Sequence, residues 1–176
     1  MKKLINTFLF SFILSAALCQ NKRSHALYLY GQYNQTLKDI TKGNNPWAMG
    51  LGLQLFFANA RQLKPTVDFT ADAYLVGDKV LRTFGDGTPI RTADGLVNLF
   101  TGFSYHPARR AYLSFVAGPS FVSGQTLLGI KPSVGVYLSA NQKLTAKISY
   151  INVFNREPRA KENFSSLSFS LGLKLF

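Results

Sequence analysis

The sequence predicts an all-β protein, an eight-stranded antiparallel up-and-down transmembrane β-barrel. Eight segments alternate apolar residues with small or polar residues at a period of two, which is the pattern of a strand with two different faces. Charged residues lie almost entirely between those segments. After the first twenty residues, no stretch has a helical period or the roughly 18 consecutive apolar residues of a membrane-spanning helix.

The N-terminus has the features of an export signal. Two lysines precede an apolar stretch, and the small residues Ala17 and Cys19 follow it at the −3 and −1 positions of a cleavage site. We expect residues 1–19 to be a signal peptide and residues 20–176 to be the barrel domain, which would contain no cysteine. The alternative is a lipoprotein in which Cys19 is lipidated, but Leu18 then occupies a position where a small residue is normally found.

Four strands are predicted in the first part of the chain. They are, in order, 26–34, 47–57, 66–76 and 96–106. The first and the fourth alternate only weakly. The second is the clearest, because its odd-numbered positions are large and apolar while the other face is mostly Ala, Gly and Gln. The third repeats this plan with Thr, Asp and Tyr on its second face.

Four further strands complete the predicted barrel. They are 111–121, 130–139, 144–154 and 164–176. The strand 130–139 alternates Val and Leu with Ser, Gly and Tyr, and 164–176 alternates Leu and Phe with Ser and Gly, whereas the other two are weaker. An even number of hairpin-connected strands returns the C-terminus to the side of entry, so both chain ends are expected in the periplasm.

The charges predict which face meets lipid. Alternation alone is compatible with a soluble barrel that has an apolar inside or a membrane barrel that has an apolar outside. A strand face in water normally carries many interspersed charges, and here the less apolar face is mainly Gly, Ala, Ser, Thr, Gln and Tyr. We therefore expect lipid to cover the other face, whose clearest members are Leu51, Leu53, Leu55, Val134, Val136, Leu171, Leu173 and Leu175.

A small set of charged residues is predicted to lie in the lumen. Its members are Asp68, Asp72, Lys131, Lys147 and Lys174. Because an unpaired buried charge is costly, we expect Asp68 and Asp72 to pair across the lumen with Lys147 and Lys174. The alternative is that water hydrates each charge separately.

The connections predict which end of the barrel is exposed outside the cell. They alternate between longer and shorter segments, as in barrels with long outer loops and short periplasmic turns. We expect 77–95 and 155–163 to be outer loops and the main contact surfaces. Aromatic residues near strand ends are expected to form interfacial girdles, namely Trp47, Tyr105, Tyr112, Phe121 and Phe154.

These features resemble the small eight-stranded outer-membrane barrels of Gram-negative bacteria, the OmpA/OmpX type. The resemblance rests on the export signal, the eight alternating strands and the final Gly172-Leu173-Lys174-Leu175-Phe176, and it covers essentially all of residues 20–176. It implies a porin-like β-barrel of the cell envelope, located in the outer membrane. The sequence departs from the family in one place, since Lys174 puts the terminal Phe176 in phase with the lumen rather than with the lipid-facing leucines.

The predicted function is a structural, adhesive or interaction role through the outer loops. The interior of an eight-stranded barrel is just wide enough for side chains to fill it, so an open pore is not expected. We expect no enzyme activity, no catalytic or metal-binding residues and no cofactor. Acyl-transfer chemistry on lipid, the third alternative, needs a nucleophile with a positioned base. The chain offers only His25 and His106, both expected at the periplasmic rim.

The distribution of charge suggests partners on the periplasmic side. That side is expected to carry no acidic residue and seven basic ones, Lys22, Arg23, Arg61, Lys64, Arg109, Arg110 and Lys143. The expected partners are outer-membrane lipids and, in a second functional alternative, the proteins of a larger secretion or conjugation machine that docks on this rim. Nucleic acid is not expected as a partner, and the chain is expected to be a monomer unless it belongs to such a machine.

Overall fold

The protein is a closed barrel of eight antiparallel strands, seen here in a computed structural model. The structure describes residues 25–37, 47–57, 62–74, 85–87, 95–122, 124–157 and 162–176. The strands are β1 Ala26–Thr36, β2 Trp47–Phe56, β3 Leu63–Tyr74, β4 Gly95–Ala108, β5 Ala111–Val122, β6 Gln125–Tyr137, β7 Leu144–Glu157 and β8 Glu162–Lys174. The predicted fold class and strand number are therefore confirmed. The predicted signal peptide lies outside the described residues, as does most of the predicted loop 77–95.

Each strand pairs with its neighbour in the sequence, and β8 pairs with β1 to close the barrel. The closing register runs from Tyr28 opposite Lys174 to Thr36 opposite Ser166. Closure satisfies the backbone groups that a free sheet edge would expose. Within the described residues, no helix is long and apolar enough to cross a membrane.

The two ends of the barrel differ in the connections that they carry, and we call them the base and the loop end. The base is the end at which β1 begins and β8 ends, and it also holds the β4–β5 turn at Arg109 and Arg110 and the β6–β7 turn 138–143. The loop end is the opposite one, where residues 37–46 and 75–94 connect the strands of the first half. In the second half, β5 and β6 are separated at this end by residues 123–124 only.

Six of the strands extend further towards the loop end than the sequence predicts, whereas β2 begins at the predicted residue and β3 ends at Tyr74 rather than at residue 76. β6 begins at Gln125 rather than at residue 130, because the poorly alternating residues before 130 pair through their backbones with β5 as far as Val122. β7 and β8 pair as far as Glu157 opposite Glu162. The predicted outer loop 155–163 is therefore wrong, since only residues 158–161 lie between these strands.

The two faces of the barrel wall differ in exposure and polarity. The eight residues predicted to face lipid all point outward; Leu51 and Leu171 are each 63% exposed, and Leu55 is the one that is half-buried. Inward positions are buried and largely polar, and each strand contributes at least one buried Thr, Ser, Asn or Gln side chain. The core of this protein is therefore its lumen.

Two aromatic residues do not lie where the sequence predicts. Tyr112, expected in an interfacial girdle, is fully buried in the lumen. Successive residues of β5 alternate between the two faces, so Tyr112 points inward while the next residue, Leu113, points outward. Its ring lies over Gly135, where a Cβ atom would overlap it. Phe176, expected in the lumen phase, lies beyond the end of β8 and is exposed.

Candidate functional site

The middle of the lumen holds a buried ion-pair network on three strands. Lys131 Nζ lies 2.8 Å from Asp68 Oδ1, and Lys147 Nζ lies 2.9 Å from Asp68 Oδ2. Lys147 also donates to Gln54 Oε1 at 3.2 Å, and its ammonium lies 4.2 Å from the centre of the Tyr30 ring. One carboxylate thus compensates two lysines, and its two oxygens are each bound to a different ammonium.

The strand order explains why these residues meet. Asp68 is an inward residue of β3, whereas Lys131 and Lys147 are inward residues of β6 and β7 on the other side of the barrel. The long lysine side chains cross the lumen to reach the short aspartate. All three side chains are almost completely shielded from solvent, so the two ammonium groups depend on Asp68 for compensation.

Asp72 is in a different environment from that predicted. Gln32 Nε2 donates to Asp72 Oδ1, whereas Asp72 Oδ2 and both amide atoms of Asn34 have no hydrogen-bond partner within the described residues. The carboxylate lies over Gly50, where a Cβ atom would overlap it. No lysine of the described chain forms an ion pair with Asp72, so its predicted pairing is corrected to an amide contact.

Lys174 is also not part of the ion-pair network. It is the last residue of β8 and lies opposite Tyr28 at the base, where it is half-buried. Neither aspartate of the lumen reaches it among the residues described. Lys174 lies at the end of its strand, whereas Lys131 and Lys147 lie within β6 and β7 and bind Asp68 instead.

Aromatic side chains fill the base of the lumen. We call this group the basal aromatic cluster; it consists of Tyr28, Tyr30, Phe56, Tyr112, Tyr137 and His106. The phenol groups of Tyr30 and Tyr112 hydrogen-bond at 3.0 Å. His106 is stacked against Tyr112 and Tyr137, with ring centroids 5.5 and 6.2 Å apart, and its Nε2 lies 3.1 Å from the Tyr137 hydroxyl.

The loop end of the lumen is filled by a mainly apolar cluster. Its buried members are Ala48, Tyr74, Leu96, Val122, Ile151, Val153 and Phe164, and Leu127 packs against them. The rings of Tyr74 and Phe164 meet edge to face, with centroids 5.3 Å apart. Side chains therefore occupy the lumen at three levels: aromatic at the base, ionic in the middle and apolar at the loop end.

The charged layer was predicted from the sequence, whereas the basal aromatic cluster was not predicted as a unit. The usable signal was the inward phase of the tyrosines together with glycines on facing strands, such as Gly135 opposite Tyr112. The clustering of His106 with these rings had no sequence signal, because it depends on which strand ends meet at the base. In the part of the chain that the structure describes, no group of three or more His, Cys, Asp or Glu side chains could hold a metal ion.

The closed wall, the apolar outward face and the polar filled lumen define the fold of a small transmembrane β-barrel. No protein-family model matches the sequence, and no curated protein matches it. Solved structures with the same fold include the outer membrane protein Ail of Yersinia pestis in a phospholipid bilayer nanodisc, with a TM-score of 0.56 and 11% identity over 86% of this chain and 100% of that chain.

Two further structures share the fold. The crystal structure of Ail, the attachment invasion locus protein of Yersinia pestis, has a TM-score of 0.56 and 9% identity, covering 88% of this chain and 100% of that one. A de novo designed transmembrane β-barrel has a TM-score of 0.50 and 10% identity, covering 85% and 95% of the two chains. At these identities the similarity establishes the fold: this chain is built like Ail and like other eight-stranded outer-membrane barrels.

Proposed function

We propose that this protein spans the outer membrane as a closed, non-conducting barrel and acts by contacts made through its loop end. The observation that carries the proposal is the combination of an apolar outward wall with a lumen filled at three levels. Such a wall needs hydrocarbon around it, and such a lumen leaves the ends of the barrel as the places where partners can bind.

The outward wall supports the location in a membrane. Leucine, valine, isoleucine and phenylalanine side chains are exposed all around the barrel, whereas the charged residues in the middle of the strands point inward and are buried. A monomer in water rarely exposes a continuous apolar band. A strand of about eleven residues, rising about 3.3 Å per residue at a tilt near 40°, covers roughly 28 Å, close to the apolar band of outer-membrane barrels.

The connections support an orientation with the base in the periplasm. The two longest connections, residues 37–46 and 75–94, both lie at the loop end, although the β5–β6 connection there is short, whereas the base has only the connections 57–62, 109–110 and 138–143. Outer-membrane barrels place their short turns in the periplasm and their longer loops outside the cell. The contact surface of the proposal is therefore the segment 77–95, joined by the tip of the β7–β8 hairpin.

The similarity to Ail supports an interaction role rather than a catalytic one. Ail is described as an attachment invasion locus protein, and one of its crystal structures contains the heparin analogue sucrose octasulfate. In the present chain, His106 is half-buried at the base, where its ring contacts Phe56, Tyr112 and Tyr137. A general base must reach the proton that it abstracts, and the hydroxyl within hydrogen-bond distance of His106 Nε2 is the phenol of Tyr137 rather than an aliphatic nucleophile. The proposed role is non-enzymatic.

Conductance in a planar lipid bilayer tests the closed lumen. The refolded full-length barrel is expected to insert without producing stepwise ion currents, because side chains block it at three levels. Insertion is verified separately by the change in gel mobility that a folded barrel shows on heating. Stable single-channel steps from inserted protein would contradict the proposal.

Crosslinking on intact cells tests the contact surface. In the test variant a short Gly-Ser linker replaces residues 77–93, and in the matched control Gly-Ser-Gly replaces residues 140–142 of a base turn. We expect the crosslinked adducts of the wild-type barrel to disappear in the test variant and to persist in the control. An adduct pattern that does not change in the loop variant would exclude this segment as the contact surface.

A further inference from the structure

We infer that the base of the barrel carries a binding surface for anionic phospholipid headgroups, an inference that rests on the proposed membrane orientation. We call this surface the basal basic patch; it consists of Arg109, Arg110, Lys143 and Lys174. Arg109, Arg110 and Lys143 are exposed on the two base turns, and Lys174 is half-buried at the end of β8. Lys64, at the start of β3, adds a half-buried cation on the same end of the barrel.

The patch is held together by hydrogen bonds between the elements that carry it. Gln142 Nε2 donates to the carbonyl of Arg109 at 2.9 Å, which ties the β6–β7 turn to the β4–β5 turn. The backbone N–H of Lys174 donates to the carbonyl of Lys143 at 2.8 Å, which places these two residues side by side. The Tyr28 hydroxyl donates to the carbonyl of Gln142 at 2.9 Å and anchors the turn to the basal aromatic cluster.

The β6–β7 turn is also ordered internally. Ser139 Oγ accepts hydrogen bonds from the backbone N–H groups of Lys143 and Leu144 at 2.9 and 3.1 Å. Gln142 adopts a φ of 57°, which completes the tight turn. The patch thus presents its cations from a fixed backbone, and less conformational freedom is lost when an anion binds.

Acidic residues do not offset this charge. The sequence contains eight, and two of them, Asp68 and Asp72, are buried in the lumen. The other six belong by sequence to the loop end of the barrel, either in the connections between strands or at the ends of β7 and β8. They are Asp39, Asp78, Asp86, Asp94, Glu157 and Glu162. The described part of the base therefore carries lysine and arginine side chains but no aspartate or glutamate, so it attracts anions.

The height of the patch favours a lipid over a soluble partner. Leu113, Leu138 and Leu144 are exposed on the outward face within a few residues of the cations, and Tyr105 is exposed on β4 beside them. In the proposed orientation, these side chains mark the periplasmic edge of the hydrocarbon layer. The cations then lie at the depth of the phosphate groups of the inner leaflet, where arginine binds phosphate through two parallel hydrogen bonds.

Lipid retention measured by native mass spectrometry tests this inference. The full-length barrel is reconstituted in nanodiscs that contain equal amounts of phosphatidylglycerol and phosphatidylcholine, then released into the gas phase with its bound lipids. The test variant carries Arg109→Gln, Arg110→Gln and Lys143→Gln. The matched control carries Lys79→Gln, Arg82→Gln and Arg91→Gln, which remove the same charge from a connection at the loop end.

We expect wild type and control to retain phosphatidylglycerol at least about threefold over phosphatidylcholine, and the test variant to lose this preference. Equal lipid retention by test variant and wild type would overturn the inference, as would equal loss in the control, which would mean that only total charge matters. Loss of the preference in excess inorganic phosphate would also overturn it in favour of a simple anion site.

Two further outcomes separate this inference from others. If the wild-type barrel does not enter nanodiscs at all, the proposed function fails, whereas insertion without lipid preference contradicts the inference alone. If the test variant keeps its lipids but loses a crosslinked periplasmic protein in cells, the patch is a protein-docking surface, and the lipid assignment is wrong.

Discussion

Asp68 and Asp72 lie four residues apart on the same strand and the same face, yet their carboxylates have different partners. Asp68 binds two lysines from the opposite wall through both of its oxygens. Asp72 accepts a hydrogen bond from Gln32, and one of its oxygens has no partner within the described residues. The level of a residue along the lumen, and not its face alone, therefore decides whether its charge is paired.

The difference has an energetic consequence. Removing one partner of a buried ion pair leaves an uncompensated charge and is strongly destabilising, whereas a whole buried network can be replaced by apolar residues at little cost. Asp68 compensates two cations and Asp72 compensates none directly. Substitutions at these two positions should therefore differ far more than their similar burial suggests.

Asp68→Asn should have the largest effect. It leaves the ammonium groups of Lys131 and Lys147 buried without a counter-ion, and we expect the free energy of unfolding to fall by about 3–5 kcal/mol. The measurement is denaturant unfolding of the refolded barrel in detergent, with the heat resistance of the folded band on a gel as a second readout. Wild-type heat resistance in this variant would show that the network is not needed for stability.

Lys131→Met should have an intermediate effect. Asp68 keeps its ion pair with Lys147, so the variant loses one charge-assisted hydrogen bond and leaves one carboxylate oxygen less well satisfied. We expect a loss of about 1–3 kcal/mol in the same unfolding experiment. A loss as large as that of Asp68→Asn would mean that the two lysines act as a unit rather than as separate partners.

Asp72→Asn should have a small effect. The amide keeps an oxygen that can accept the hydrogen bond from Gln32, and no ion pair is broken among the described residues. We expect a change of about 1 kcal/mol or less. This variant is the matched control for Asp68→Asn, because the same chemical change is made on the same strand and face. Equal losses at the two positions would remove the distinction drawn between them.

The triple variant Asp68→Leu, Lys131→Met and Lys147→Met should have the smallest effect on stability. It removes all three charges together, so none is left uncompensated, and we expect stability within about 1 kcal/mol of wild type. The measurement is again unfolding in detergent, with the yield of refolded barrel recorded beside it. A loss as large as that of Asp68→Asn would show that the ion pairs make a net contribution to stability, beyond offsetting the cost of burying their own charges.

The fold could be predicted from the sequence because the barrel wall obeys a local rule. Side chains on a strand alternate between faces, so the outward position of Leu51 or Leu171 follows from counting residues. The same counting placed Lys131 and Lys147 in the lumen. Strand ends were harder to predict, since backbone pairing continues through residues that do not alternate, as at Gln125–Leu128 on β6.

The partners within the lumen could not be predicted, because they depend on the register between distant strands. No local sequence pattern indicates that Asp68 lies at the same level of the lumen as Lys131 and Lys147. Nor does one indicate that Lys174 lies opposite Tyr28. Tyr112 shows a related limit. Its position near a strand end suggested an interfacial role, but its phase and the space above Gly135 place it inside.

The position of the outward wall in hydrocarbon is tested most directly by the accessibility of a spin label on that wall. In a Cys19→Ser background, a nitroxide is attached at Leu171→Cys and, as a control, at Asn141→Cys on a base turn, and the barrel is reconstituted in lipid. We expect oxygen, which dissolves in hydrocarbon, to collide with the label at 171 far more often than a water-soluble nickel chelate does, and this preference to reverse at 141. Equal access of the chelate to both positions would show that the outward wall does not lie in hydrocarbon.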